Sequence, residues 1–586
     1  MRLRRNCDLW TAVLGWALWL AACAPQLPPA SKFLADQVVD MPPIVLRSPQ
    51  GAGGAADPLQ DPNAAFVALT MEVAGLADGT LRVVRSEPLG KPDTLACPGP
   101  YCLKLPHGVA VQARVELWSA NASGQPGEPL ARGRTLPFVT GYAQAAHAAQ
   151  AYLVPAGSFA PAVSSDGAQA TLAGRVGIGA ALVAGNPTEA VLVGGAVIMP
   201  DAVDVFAPAS LVSFSGVVSK YTIVQRQIEQ SAQTLALPRA FAAVATGASV
   251  VAIIGGYVAG ADGPKPTNTI EYLDKFGTLR AAKETLKFAR AGASIAPMFA
   301  GQDYFLVLAG HGDTECTTSC AANTWEIWHP KLGIVTTGNL VTPRWRHAMV
   351  QLPGPAGGYA MLVGGENGNS IIGTAEVVQW SASANGVVSV SRAGAKCDDK
   401  KADECAALPN FYWSPQQVAL PSARTLPGAA LVRSLDGSGQ LPMYVAVFGG
   451  FSDLQHTKPL SDLHVFPYAT GAFLAQPLAV GPGRAAPLFA SVDGGRYGQQ
   501  LLVAGGVNAK GVANADAAVF LVQPDATAAA LMVPKTAAAK SELVEGGRVL
   551  ATALALPTGH ILVAGGVGGG PGAWVARTKV LLWGAF

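Results

Sequence analysis

The stretch Val191-Leu192-Val193-Gly194-Gly195 is an apolar run closed by two glycines, and Ala252-Ile253-Ile254-Gly255-Gly256 repeats it. Leu306-Val307-Leu308-Ala309-Gly310 is a degraded copy. Leu362-Val363-Gly364-Gly365, Val447-Phe448-Gly449-Gly450, Val503-Ala504-Gly505-Gly506 and Val563-Ala564-Gly565-Gly566 complete a series of seven. From Gly195 to Gly566 the mean spacing is about 62 residues, the range of a repeat architecture. The one long interval, Gly365 to Gly450, reads as carrying an insertion at about residues 384–418.

Two further features keep step with the diglycine. An arginine stands roughly twenty residues before each one: Arg175, Arg239, Arg290, Arg344, Arg424, Arg484 and Arg548. It is followed by a strand rich in Ala and Val, clearest in Pro343-Arg344-Trp345-Arg346-His347-Ala348-Met349-Val350. After each diglycine comes a strand expected to carry an aromatic: Phe206, Tyr272, Trp328, Trp380, Phe466, Phe520 and Trp583. The unit is therefore arginine, small-residue strand, apolar strand, diglycine, loop, aromatic strand.

This order resembles the kelch repeat of galactose-oxidase-like β-propellers, over about residues 158–586. The resemblance implies an all-β fold of seven four-stranded blades around a channel, with small residues innermost where strands crowd. Glycine admits the φ > 0 turn that a Cβ resists, and the aromatics fill the widening outer wedge. The last repeat ends at Phe586, one strand short of four, so the segment Ser158–Leu172 is expected to close the ring and remove the open edge. The seven arginines are expected near one mouth of the channel. They either donate to carbonyls and carboxylates of adjoining blades, as the planar five-donor fork allows, or form a funnel for an acidic ligand.

The 586 residues are 50% hydrophobic and 13% charged, with net charge +2, mean hydropathy +0.31, 67 glycines and 43 prolines. That apolar content excludes general disorder, and the small net charge gives no field for nucleic acid. Abundant turn residues between short apolar runs indicate buried β-strands.

The chain begins with Arg2, Arg4 and Arg5, then an apolar stretch from Trp10 to Leu20, too short to span a bilayer as a helix. Leu20-Ala21-Ala22-Cys23 resembles a bacterial lipobox. This implies removal of residues 1–22, lipidation of Cys23 and anchoring to the membrane through acyl chains alone. Ala24 after the lipidated position implies an outer-membrane lipoprotein. Six cysteines fall in three close pairs: Cys97 with Cys102, Cys316 with Cys320, and Cys397 with Cys405. Such pairs suit short disulfide-closed loops in an oxidising compartment. Residues 23–62, with Pro25, Pro28, Pro29, Pro42, Pro43 and Gly51-Ala52-Gly53-Gly54, read as a flexible tether. Residues 63–157 alternate apolar and polar over several strands, notably Val109, Val111, Ala113, Val115 and Leu117. That pattern suggests a small immunoglobulin-like sandwich.

No nucleophile elbow, zincin pair or phosphate loop occurs, and no catalytic, cofactor or metal set is assigned. His311-Gly312-Asp313 with Glu315 reads as a solvated loop. The copper-radical branch of the resembled fold needs an unpaired cysteine for a Tyr–Cys link, and every mature cysteine after Cys23 sits in a close pair. The expectation is an exported, lipid-anchored monomer that binds a protein or glycan on its diglycine-side loops, and more a binding and scaffold platform than an enzyme. The alternative is a carbohydrate-active enzyme of epimerase or oxidase type.

Overall fold

Each diglycine stretch forms the second strand of an antiparallel sheet, and there are seven such sheets. The structure, a computed structural model, describes residues 38–49, 57–73, 83–88, 94–141, 149–164, 166–299, 301–312, 321–354, 357–381, 416–433, 443–468, 471–474, 477–479, 482–493, 499–521, 543 and 545–584. The signal segment, Cys23, Asp313 and Glu315 lie outside these residues. Among the described residues no helix is long and apolar enough to cross a membrane.

The second strands are Asn186–Val193, Val250–Ile254, Phe305–Leu308, Gly357–Val363, Met443–Phe448, Gln499–Ala504 and His560–Ala564. Each pairs on one side with a first strand: Gly179–Val183, Ala243–Thr246, Ser294–Pro297, Ala348–Gly354, Gly428–Arg433, Leu488–Asp493 and Thr552–Ala555. On the other side it pairs with a third: Val217–Thr222, Ile270–Asp274, Thr324–His329, Thr374–Ser381, Asp462–Pro467, Ala517–Leu521 and Leu581–Gly584. Six sheets have a fourth strand; the sixth is three-stranded among the described residues. First strands of successive sheets lie side by side, and the seventh returns to the first, so the sheets make a closed circuit compatible with a β-propeller.

The circuit explains why the second strands are apolar without alternation. All of Val250–Ile254 is buried. Val251 and Ile253 pack toward the first sheet, whereas Val250, Ala252 and Ile254 pack with Phe305, Val307 and Trp328 of the third. A strand covered on both faces has no polar face to show. Trp328 also lies against Tyr272, with ring centroids 5.8 Å apart, and so fills the space between sheets two and three.

The seventh sheet takes its outer strand from the other end of the circuit. Phe159–Pro161 pairs antiparallel with Leu581–Trp583, register Phe159↔Trp583, inside the expected window. Thr171 also bridges Lys579. The ladder ties the start of this region to its end and leaves Trp583 fully buried.

Before the circuit lies a smaller β unit. One sheet runs Val154–Pro155, Pro126–Arg134, Ala110–Ala120, Ala64–Val73, Val83–Pro88. A second runs Gln150–Tyr152, Ile44–Arg47, Thr94–Leu95, and Val38–Asp40 pairs with Lys104–Pro106. Val111, Ala113, Val115 and Leu117 share one core with Met41, Ile44 and Leu46, and Val109 packs at its edge.

Of the three expected disulfides, the structure contains one among the described residues, Cys97 to Cys102. Residues Cys316, Cys320, Cys397 and Cys405 all lie outside the described residues.

Four expectations need correction. The proposed tether of residues 23–62 is too long: Val38–Asp40 and Ile44–Arg47 are strands, because Met41, Ile44 and Leu46 supply apolar surface that the short sheets need. The proposed insertion of 384–418 overlaps Gln416–Ala419, the fourth strand of sheet four. Phe206 is not on a third strand; Tyr221, fully buried, holds that place in sheet one. Finally, the polar face of Ala110–Ala120 is buried too. Arg114 pairs with Glu72 at 2.7 Å, Arg132 with Glu116 at 2.5 Å, and Gln112 Nε2 donates to the Pro557 carbonyl at 2.7 Å under the seventh sheet.

Candidate functional site

The seven phased arginines are where the sheets join. Each is nearly or fully buried. Nη1 donates to the carbonyl of the first residue of its own sheet's diglycine, at 2.6–3.3 Å. Nη2 meets a carboxylate in six of them: Glu271, Glu326, Glu376, Asp462, Asp516 and Glu545. Arg175 instead has the Ser215 hydroxyl at 2.6 Å. Burial lowers the pKa of Arg239 and Arg290, and the paired carboxylates oppose that shift. The side-chain partners thus belong to the arginine's own sheet rather than to an adjoining one. Contact with the neighbour runs through the backbone: the second glycine of each sheet donates to the next sheet's arginine carbonyl.

That second contact accounts for the first glycine. At Gly255, φ is +64° and an added Cβ would lie 2.4 Å from the Arg290 carbonyl oxygen. The carboxylates were missed in the sequence, although they carry a signal. In sheets two to six an acid follows the arginine by 32, 36, 32, 38 and 32 residues.

Two residues beyond each arginine the chain takes a left-handed turn, at Gly177, Phe241, Gly292, Arg346, Leu426, Ala486 and Leu550, with φ between +49° and +62°. These turns are linked round the circuit, as in Phe241 N to Gly177 O and Leu426 N to Arg346 O, at 2.8 Å each. Several of them pack in one cluster with Ala202, Val205, Phe451 and Trp574. Arg346 is the sole charged side chain in the set.

Arg346 lies at the centre of a polar cluster. Its Nη1 is 2.8 Å from Glu366 Oε1 and 3.1 Å from His456 Nε2, its Nη2 donates to the Phe206 carbonyl, and its guanidinium lies 3.9 Å over the Trp345 ring. His456 contacts Asp204 at 3.6 Å and Glu366 at 3.5 Å, between the rings of Phe206 and Phe451. Burial and the Arg346 charge lower the His456 pKa, but the neighbouring Asp204 and Glu366 carboxylates outweigh them and the net direction is upward. Burial likewise opposes the charge of Asp204 and Glu366, yet His456 and Arg346 hold both carboxyls below their ordinary range.

The loop carrying Asp204 and Phe206 leaves sheet one and crosses the middle of the circuit. It meets sheet four through Arg346 and sheet five through Phe451 and His456. On the opposite side, Trp574 Nε1 of sheet seven donates to the Ala202 carbonyl at 2.8 Å. His311 sits beside this group, its ring 4.6 Å from Trp345 and 5.6 Å from Tyr257. The nearby His347 accepts or donates at Ser294 Oγ, 2.8 Å away, and burial reinforced by Arg344 pushes its pKa down to about 3.

Among the described residues one group has metal-like spacing, Asp40 with Cys97 and Cys102, and its sulfurs are joined in the disulfide. No family model matches the chain, and no curated protein matches it. A solved structure described as "Structure of YjhT" superposes with a TM-score of 0.38 at 12% identity, over 62% of this chain and 98% of its own.

Proposed function

We propose that the chain is an exported cell-envelope protein, lipid-anchored through Cys23, whose seven sheets form a kelch-type seven-bladed propeller and present a binding face. In this reading the smaller unit is an immunoglobulin-like spacer between anchor and platform. The observation that carries the binding role is the placement of exposed apolar side chains. Val203 is 80% exposed, Val575 57%, Val512 39% and Val197 37%. All four stand on diglycine-side loops that touch one another: Trp574 N donates to Pro200 O, and Gly570 lies against Val512. Exposed apolar side chains on adjoining loops mark a contact surface for a partner, whereas scattered single ones do not. Protein or glycan ligands suit a platform of this kind.

The test compares wild type with a double variant, Val203→Asp and Val575→Asp, for capture of envelope proteins and for binding to a glycan array. Loss of a wild-type interaction, with melting temperature unchanged, supports the platform. Equal binding by both forms overturns it. Cys23→Ser should move the protein from the membrane to the soluble fraction.

A second reading, a carbohydrate-active enzyme, draws on the convergence of Asp204, Glu366 and His456 near the axis, since acid–base chemistry needs such groups within reach of one substrate. Sugar turnover abolished by Glu366→Gln would favour it.

A further inference from the structure

The loop 199–212 spans the diglycine side of the circuit, and its attachments on the two sides differ in kind. Toward sheet seven the bonds are neutral: Trp574 Nε1 and the Gly572 and Trp574 amides donate to Ala202 and Pro200 carbonyls. Toward sheets four and five the bonds involve charge. Asp204 is 45% exposed, and among the described residues its ion-pair contact is with His456. Glu366 has a second cation in Arg346, at 2.8 Å.

We infer that His456 is a protonation-dependent latch that fastens the loop 199–212 over the axis at mildly acidic pH and releases its Asp204 end as pH rises. The inference rests on the platform reading, since it supplies the regulation of that same face. The charges around the imidazole support it. Asp204 faces it from the crossing loop, Glu366 and Arg346 from sheet four, and Asp453 and Lys458 flank it on its own loop. With His456 protonated, two cations meet two carboxylates. With it neutral, Nε2 accepts from Arg346 Nη1 at 3.1 Å, Arg346 still serves Glu366, and Asp204 faces an uncharged ring at 3.6 Å.

The sign follows from the upward shift. A histidine whose folded pKa exceeds its ordinary value of about 6.5 gives its full contribution below that value and loses it as pH rises through the folded pKa. Both carboxyls are shifted down, so they stay ionised throughout this window. Arg346 beside the ring opposes protonation but is outweighed. Apolar contacts of Phe206 with Phe451 remain in either state, so the loop loosens rather than unfolds.

The experiment is amide hydrogen exchange of the full chain between pH 5.5 and 8.5, corrected for intrinsic rates, read at Ala202, Ala207 and Ser210. Each of these donates to a carbonyl within the loop. Protection should fall about two- to fivefold as pH rises, the scale of a partly exposed ion pair, and His456→Gln should lose that dependence. Asp204→Asn should flatten it as well, and serves if the histidine variant is poorly folded. Wild-type protection independent of pH, or dependence kept in both variants, overturns the latch. So does a wild-type His456 titration midpoint below 6.5 by NMR. None of these readouts requires a ligand, so failure of the binding reading is seen separately in the capture experiment.

Discussion

The amide of Gly566 donates to the carbonyl of Arg175 at 2.8 Å, and this bond closes the circuit. It is the same contact that Gly195 makes with Arg239 and Gly256 with Arg290, each at 2.8 Å. One repeated unit thus both terminates its own sheet and seats the next. Only at the closure does the bond join residues some 390 positions apart along the chain.

This arrangement makes the first glycine of each pair hard to replace. Gly255→Ala places a Cβ 2.4 Å from the Arg290 carbonyl at φ +64°. It should cost about 2–4 kcal/mol, combining left-handed strain with displaced backbone. Sheet three already has Ala309 at this position, with φ +55°. Ala309→Gly should therefore be near neutral, the relieved strain of about 1 kcal/mol offset by the loss of one buried methyl. Thermal unfolding of the two variants checks the contrast, and equal effects would refute the steric account.

The buried arginines should differ according to what each leaves behind. Arg290 and Glu326 are both fully buried, and Glu326 also accepts from the Lys287 and Phe288 amides. Arg290→Ala strands that carboxylate and should cost about 3–5 kcal/mol, whereas Arg290→Met combined with Glu326→Leu should cost much less. Arg175→Ala removes the guanidinium donor from the Gly194 carbonyl and from Ser215 Oγ, which still accepts from the Val217 amide, at roughly 1–3 kcal/mol. Denaturant midpoints would rank the three. A milder loss for Arg290→Ala than for Arg175→Ala contradicts the pairing argument.

Acid should weaken the contact between the smaller unit and the circuit. His560 is buried beside Thr558 and the Arg132 carbonyl, and its ring meets Tyr152 edge-on. Burial pushes its pKa down to about 4, and Arg134, Arg226 and Arg132 push the same way. A depressed pKa means that the unfolded chain takes up the proton first. Stability is therefore full above about pH 6.5 and declines as pH falls toward 4, by up to about 3 kcal/mol. His560→Gln should flatten the loss of melting temperature between pH 7 and 4.5. An unchanged acid slope in that variant would mean that other groups, His347 among them, carry it.

The sequence determined by itself whatever depends on local geometry repeated in register. The diglycines require φ > 0, the apolar runs Val250–Ile254 and Met443–Phe448 require cover on both faces, and the edge left at Trp583 requires a partner. Each requirement can be read within a few residues of the chain, because strand and turn stereochemistry is local. Tertiary structure decided what joins distant residues. That Arg239 serves its own diglycine while its carbonyl serves the previous one follows from how adjacent sheets stack, which spacing does not encode. Phe206 has the chemistry of a third-strand aromatic, yet it lies on the crossing loop because Tyr221 already fills that position. The Asp204–His456–Arg346–Glu366 cluster draws on three separate repeats. Its members carry no shared spacing, since only the closing of the circuit brings one side of the ring within reach of the other.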